Sequence, residues 1–301
     1  MSKDELFGIL SLFGGVALFS TVEIASKIIG GRVDPLVLTF IRFFVTGVVL
    51  IGISIPLLSM RMEPFGWRDY GLFALNGLIG IAAAISLFHI AILMLAKAAS
   101  AAVIFSVNPV FVLILSRFIN KEGWAPRKWA AVLLGIAGVS CFAYESGVLS
   151  FASLKGLGLM VVSAFFFALS ICISRRFVPR YGVTILMGYS SLIGSFMILP
   201  LALMRFPAQG LPGLAAAWLP VTYVVLAGTA VAYALYYFGI LNTSAQTASM
   251  TFFLKPVLAS VLAVAFLGET INPYMLTGTA LILSGLIFTV FAPRRLLRSG
   301  A

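Results

Sequence analysis

The chain has 301 residues, of which 61% are hydrophobic and only 10% charged, and its mean hydropathy is +1.13. Soluble domains carry about a quarter charged residues, and no single core of this size could hide so much apolar surface, so a soluble single-domain enzyme is excluded. The net charge of +11 comes from 20 basic and 9 acidic residues; without a water-exposed domain to carry a basic face, it does not point to nucleic acid.

Ten apolar runs follow one another: 6–29, 35–58, 70–95, 98–119, 127–145, 155–178, 183–204, 217–241, 244–267 and 273–292. A membrane-spanning helix needs about 20 apolar residues, and no run alternates with the two-residue period of a barrel strand. The expected fold is all-α and integral to a membrane, with ten transmembrane helices. Turn chemistry separates runs at Gly30-Gly31-Arg32-Val33-Asp34-Pro35, at Gly123-Trp124-Ala125-Pro126, from Pro207 through Pro212, and at Asn272-Pro273. The first run is too long for the apolar region of a signal peptide and is read as a retained helix. Little length remains for a soluble catalytic domain, so function has to lie among the helices.

The basic residues between runs are unevenly placed. Thirteen (Lys3, Arg61, Arg68, Arg117, Lys121, Arg127, Lys128, Arg175, Arg176, Arg180, Arg294, Arg295 and Arg298) fall on the face that holds both termini. Four (Arg32, Lys97, Lys155 and Arg205) fall on the other. By the positive-inside rule both termini are expected in the cytoplasm, with the chain multi-pass in the inner (plasma) membrane. Cys141 and Cys172 lie inside apolar runs without CxxC spacing, which gives neither a disulfide framework nor a zinc site. One histidine and scattered carboxylates give no multi-histidine metal site, and no cofactor is expected.

The chain also repeats itself. At an offset of 147, Ala98-Ala99-Ser100-Ala101 falls on Ala245-Gln246-Thr247-Ala248, Pro109 on Pro256, Glu122 on Glu269, Pro126 on Pro273 and Gly138 on Gly285. At 148, Gly8 falls on Gly156, Ser26 on Ser174 and Lys27 on Arg175. Each half, 6–145 and 155–292, holds five runs. Five is odd, so the second half enters the membrane from the opposite face, and the expected architecture is two inverted five-helix repeats. Such repeats place a substrate site near the midplane between halves that can rock.

These residues carry a resemblance. Ser26-Lys27, Pro35 and Arg42, then Ala98 to Ala102, Asn108-Pro109, Glu122, Pro126 and Gly138, resemble an EamA domain. Phe253-Leu254-Lys255-Pro256-Val257 and Leu267-Gly268-Glu269-Thr270 repeat the pattern, although the first half has Lys121-Glu122-Gly123 where the second has Leu-Gly-Glu. From about residue 6 to 292 the chain is similar to EamA-type members of the drug/metabolite transporter superfamily. The resemblance implies a carrier, with export ahead of import.

Several side chains are candidates for the site. An ionisable group inside a span is costly and by default suggests function. Glu23 and Lys27 are four apart and share a helix face; Lys27 is expected to snorkel outward with Glu23 as its partner, while Glu23 is also a candidate for a coupling proton or a substrate amine. Lys255 stands before Pro256, where a missing backbone hydrogen bond invites a kink; it is a candidate for substrate or gate duty, or for a charge pair with a carboxylate such as Glu23. Asn108, its repeat-mate, also precedes a proline. His89 is read equally as a structural residue and as a proton relay or substrate contact. Its repeat-mate Tyr236 shares a face with Tyr233 and Tyr237. Arg42 is read as structural, and Glu122 and Glu269 as caps on neighbouring helices.

A cavity is therefore expected between the halves, lined by the first, third, fourth, sixth, eighth and ninth runs, with Lys255, Glu23, His89 and Tyr236 leading. The expected function is secondary active transport of a small polar metabolite such as an amino acid. Its partners would be that small-molecule substrate, the lipid bilayer and protons, with no nucleic acid. No GxxxxGK[ST] loop for nucleotide phosphates and no GxSxG elbow occur. An intramembrane enzyme, and a channel or membrane scaffold, are the alternatives.

Overall fold

A computed structural model describes residues 3–59, 64–95, 98–123, 126–145, 154–267 and 273–290. The expectations for Arg61, Lys97, Glu269, Asn272 and the basic residues after 290 lie outside them. The first half contains α1 (Lys3–Ile29), α2 (Pro35–Ser59), α3 (Trp67–Met94), α4 (Ala98–Phe105), α5 (Asn108–Ile119) and α6 (Pro126–Glu145). The second contains α7 (Leu154–Tyr181), α8 (Val183–Ala216), α9 (Trp218–Asn242), α10 (Ala245–Met250), α11 (Leu254–Leu267) and α12 (Pro273–Val290). The described residues form no strand. Among the described residues, six stretches, Lys3–Arg32, α2, α3, Lys155–Tyr181, Val183–Ala208 and α9, are long and apolar enough to cross a membrane.

Local chemistry sets several helix ends. Gly30 takes φ 55° at the end of α1, a left-handed value that suits a helix terminus. Asp34 then accepts the Leu36 N–H at 2.8 Å, and Pro35 needs no donor as the first residue of α2. At the start of α3, Asp69 accepts from Gly66 N at 2.9 Å. It also holds the end of α7, accepting from Tyr181 Oη at 2.5 Å and Arg180 Nη2 at 2.9 Å.

The surface is apolar and the interior is seeded with small polar groups. Ile53, Phe118, Leu203 and Leu211 are exposed, whereas Ser20, Thr39, Thr46, Ser163 and Ser174 are buried. Helices in hydrocarbon gain little from hiding Leu from lipid; close packing at small residues and internal hydrogen bonds hold them instead. α2 lies along α8, α6 along α12, α1 along α9, and the end of α3 along α7. A Cβ on Gly8 would stand 2.8 Å from Asn242 Cβ, and one on Gly156 3.1 Å from Met94 Cβ. A Cβ on Gly138 would stand 2.7 Å from the Gly278 carbonyl oxygen, and one on Gly285 3.0 Å from that of Ala131. Such spacing lets helix backbones touch.

Three expectations need correction. The run 98–119 is broken between α4 and α5, and the run 244–267 passes through a short 3-10 turn, Thr251–Phe253, between α10 and α11. Pro109 and Pro256 stand just after these breaks and lack the N–H that would carry the ladder across. The carbonyl four residues before Pro256, that of Phe252, instead lies 3.0 Å from the Ser106 hydroxyl, which shares its one proton with the Ala102 carbonyl at 2.7 Å. The segment from Pro207 through Pro212 is not simply a loop: α8 runs through it, broken at Gly210 with φ 53°. In addition, α3 and α9 each contain a π-helical stretch, Leu78–Ile85 and Leu226–Val231, a widening of the helix that frequently marks a functional site.

Candidate functional site

The widened and broken segments converge on one place. α1 brings Phe19, Val22 and Glu23, α2 brings Arg42, and α3 brings Ile85, Phe88 and His89. Phe105 ends α4 and Phe167 lies on α7, while Tyr233, Phe252 and Lys255 come from α9, the 3-10 turn and α11. All of these except Glu23 and His89 line a cavity of about 20 Å³, room for roughly one water molecule.

Lys255 Nζ lies 2.5 Å from Glu23 Oε1, with the two side chains 3% and 0% exposed. The contact is ionic, since neither carboxylate oxygen accepts a hydrogen bond of regular geometry among the described residues. The ammonium also stands 5.4, 4.9 and 5.7 Å from the ring centres of Phe88, Phe105 and Phe252, within cation–π range. Removing one partner of a buried pair strands the other, at about 3–5 kcal/mol. The pair therefore ties α1 to α11 strongly yet can be opened by anything that replaces a partner.

Arg42, 2% exposed, is the second buried cation. Its Nε donates to Thr229 Oγ1 at 2.8 Å, on the π-helical stretch of α9. Its Nη1 meets His89 Nε2; because arginine only donates, that nitrogen is the acceptor and the imidazole proton belongs on Nδ1. Arg42 thus joins α2, α3 and α9, and it lines the cavity.

The expected site residues are only partly brought together. Lys255 and Tyr233 line the cavity, with Glu23 behind Lys255. His89 is not on the central lining: it holds Arg42 and borders a separate cavity of about 10 Å³ with Ser26 and Gly30. Tyr236 is also off the lining, wholly buried against Phe19 and Phe252, with no hydrogen-bond partner for its hydroxyl among the described residues. Asn108 Nδ2 donates to the Ala164 carbonyl at 3.0 Å, tying α5 to α7. The expected Glu23–Lys27 pair does not form: Lys27 Nζ donates to the Leu95 carbonyl at 2.5 Å, because Lys255 reaches Glu23 first from across the bundle. Arg42, read as structural, stands on the cavity; its signal was a permanent cation about two turns into an apolar run. Glu122 caps a neighbour, accepting the Ala245 and Gln246 N–H groups of α10 at 2.8 and 3.2 Å. No group of three or more His, Cys, Asp and Glu that could hold a metal occurs among the described residues.

An apolar helical bundle with broken and widened helices around a buried charge centre defines a membrane transporter. The chain belongs to the EamA-like transporter family, whose model matches residues 6–144 and again 154–291. It is 28% identical to an uncharacterized transporter of Clostridium kluyveri, over 95% of this chain and 93% of that protein. It is 28% identical to protein PecM of Dickeya dadantii, over 84% of this chain and 82% of that one. A solved crystal structure aligns with a TM-score of 0.77 at 22% identity, covering 96% of this chain and 99% of the other, a likeness of fold.

Proposed function

We propose that the protein exports a small polar metabolite, such as an amino acid, by alternating access between two inverted five-helix halves, residues 6–145 and 155–292, crossing the membrane ten times. The carrying observation is the Lys255–Glu23 pair, which bridges α11 and α1 beside a cavity closed to about one water. The family match supports the two-half reading by recurring along the chain. So do the close contacts: Gly8 on Asn242 and Gly156 on Met94 are the same contact displaced by 148 residues, as are Gly228 on Val22 and Gly80 on Ser170. The helix breaks before Pro109 and Pro256 correspond in the same way.

In this reading the closed pair is the occluded state. Parting of the halves separates Lys255 from Glu23, and an amphoteric substrate then meets a cation for its carboxylate and Glu23 for its amine. Glu23 is also the group that can carry a coupling proton when Lys255 withdraws. The protein sits in the inner membrane with both termini in the cytoplasm, and a C-terminal reporter active only outside the cytoplasm would contradict that orientation. Proteoliposomes under an imposed pH gradient test the function: radiolabelled amino acids should move with the wild type and not with Lys255→Ala, which should still fold and insert. Undiminished flux through Lys255→Ala would refute the role of the pair.

A further inference from the structure

We propose that Arg42 is the seat of the substrate's carboxylate, and that an apolar body on the substrate lies on the surrounding rings. This rests on the transporter reading, in that the substrate passes through the central cavity.

The first observation is the charge count. Among the described residues the buried centre holds two basic side chains, Lys255 and Arg42, and one carboxylate, Glu23, which Lys255 holds at 2.5 Å. Arg42 makes no ion pair there, and its polar contacts are two neutral groups, the Thr229 hydroxyl and the His89 imidazole. Arginine cannot shed its charge, and its five N–H donors outnumber these two acceptors. A buried cation with no carboxylate in contact is costly in hydrocarbon, and a carboxylate entering the cavity that Arg42 lines would relieve that cost. A guanidinium fork also matches a carboxylate with two parallel hydrogen bonds, which an ammonium cannot do.

The second observation is how the fork is held. Thr229 Oγ1 gives its own proton to the Val224 carbonyl five residues back, at 2.6 Å, so its remaining role toward Arg42 is to accept. His89 grips the Nη1 side from α3. The guanidinium is thereby oriented from both halves of the chain, and His89 is a positioning residue.

The third observation is the rest of the wall. Phe19, Phe88, Phe105, Phe167 and Phe252 are rings without hydrogen-bonding groups. A row of hydroxyls laid against these five rings would lose water and find no partner on them. A flat or apolar body suits the wall, and no amine is required while Glu23 stays with Lys255. The cavity holds about one water in this closed state, so the ligand enters as the rings part.

Three probes with one body and different heads test this: 3-phenylpropionate, 3-phenylpropylamine and 3-phenylpropanol, with the wild type in lipid nanodiscs. The acid should raise the unfolding midpoint by a few degrees, and the amine and alcohol should not. Arg42→Lys should keep a reduced shift, Arg42→Met should lose it, and Lys27→Met should keep it whole. Equal shifts from all three heads, no shift from the acid, or a shift lost in Lys255→Met but kept in Arg42→Met would each overturn the proposal; the head-group comparison needs no variant to fold. Flux of the same probes into proteoliposomes separates the two readings. An acid-specific shift without flux of any probe leaves the seat standing and sinks transport, while flux of the amine or alcohol without that shift does the reverse.

Discussion

Cutting the Lys255–Glu23 pair from either side should be costly, and cutting both sides together should not. In Lys255→Met the stem is replaced by a chain of similar length, and Glu23 is left 0% exposed with no hydrogen bond to either oxygen among the described residues. The full penalty of a stranded buried charge applies, about 3–5 kcal/mol. In Glu23→Gln the stranded group is Lys255, but three rings remain 4.9–5.7 Å away. Cation–π attraction to those rings offsets part of that loss, so Glu23→Gln should cost less than Lys255→Met. The double change Glu23→Leu with Lys255→Met removes both charges and should fall within about 1 kcal/mol of the wild type, as replaced buried pairs generally do. Reversible unfolding of the purified protein in mixed micelles, titrated with dodecyl sulfate and followed by near-ultraviolet circular dichroism, measures all four corners of the cycle. A double variant as unstable as the two single losses added together, or single variants indistinguishable from the wild type, would refute the reasoning.

Helix contact gives a second expectation: a Cβ on Gly77 would stand 2.5 Å from the Ser190 carbonyl oxygen, so Gly77→Val should lower stability by about 2–3 kcal/mol in the same titration through overpacking. Gly71 lies on the same helix with nothing within 4 Å of its Cβ position, and Gly71→Ala should be neutral or stabilising by up to about 1 kcal/mol. Ser106→Ala should leave the Phe252 carbonyl without the hydroxyl that follows α4 and cost about 1 kcal/mol, since that proton is shared with the Ala102 carbonyl. Its faster amide exchange should centre on Thr251 to Lys255, and exchange unchanged there would argue against Ser106 as the brace of the broken helix.

Individual site residues were legible because a charge in an apolar run is visible letter by letter. Glu23, Lys255 and Arg42 each stand alone among Leu, Ile, Val and Phe, and hydrocarbon makes every one of them a candidate before any contact is known. Their pairing was not legible. Local spacing favoured Lys27 for Glu23, four residues away on the same helix, and helix geometry supports that reading. The observed partner is 232 residues away in the chain, and nothing in the spacing of either run encodes which faces meet. The contacts of Arg42 were hidden for the same reason: its depth in the run could be read, but the Thr229 hydroxyl and the His89 ring that orient it come from two other helices. His89 and Tyr236 were expected on the central wall because a shared wet cavity lowers the cost of polar groups in hydrocarbon. One side chain turned toward Arg42, and the other packed between Phe19 and Phe252.

Composition and run length by themselves determined the class, an all-helical membrane protein, because in lipid each backbone N–H must be satisfied within its own segment and only helices of sufficient apolar length do so. The proline at 256 also marked a place where a helix could kink, since proline lacks the donor wherever it stands. Only the tertiary structure decided what that interruption is for. The Ser106 hydroxyl that meets the Phe252 carbonyl, the rings that surround Lys255 and the carboxylate that holds it come from separate segments of the chain. A buried charge is settled by the nearest group in space, and that group is chosen by how the helices pack rather than by their order in the chain.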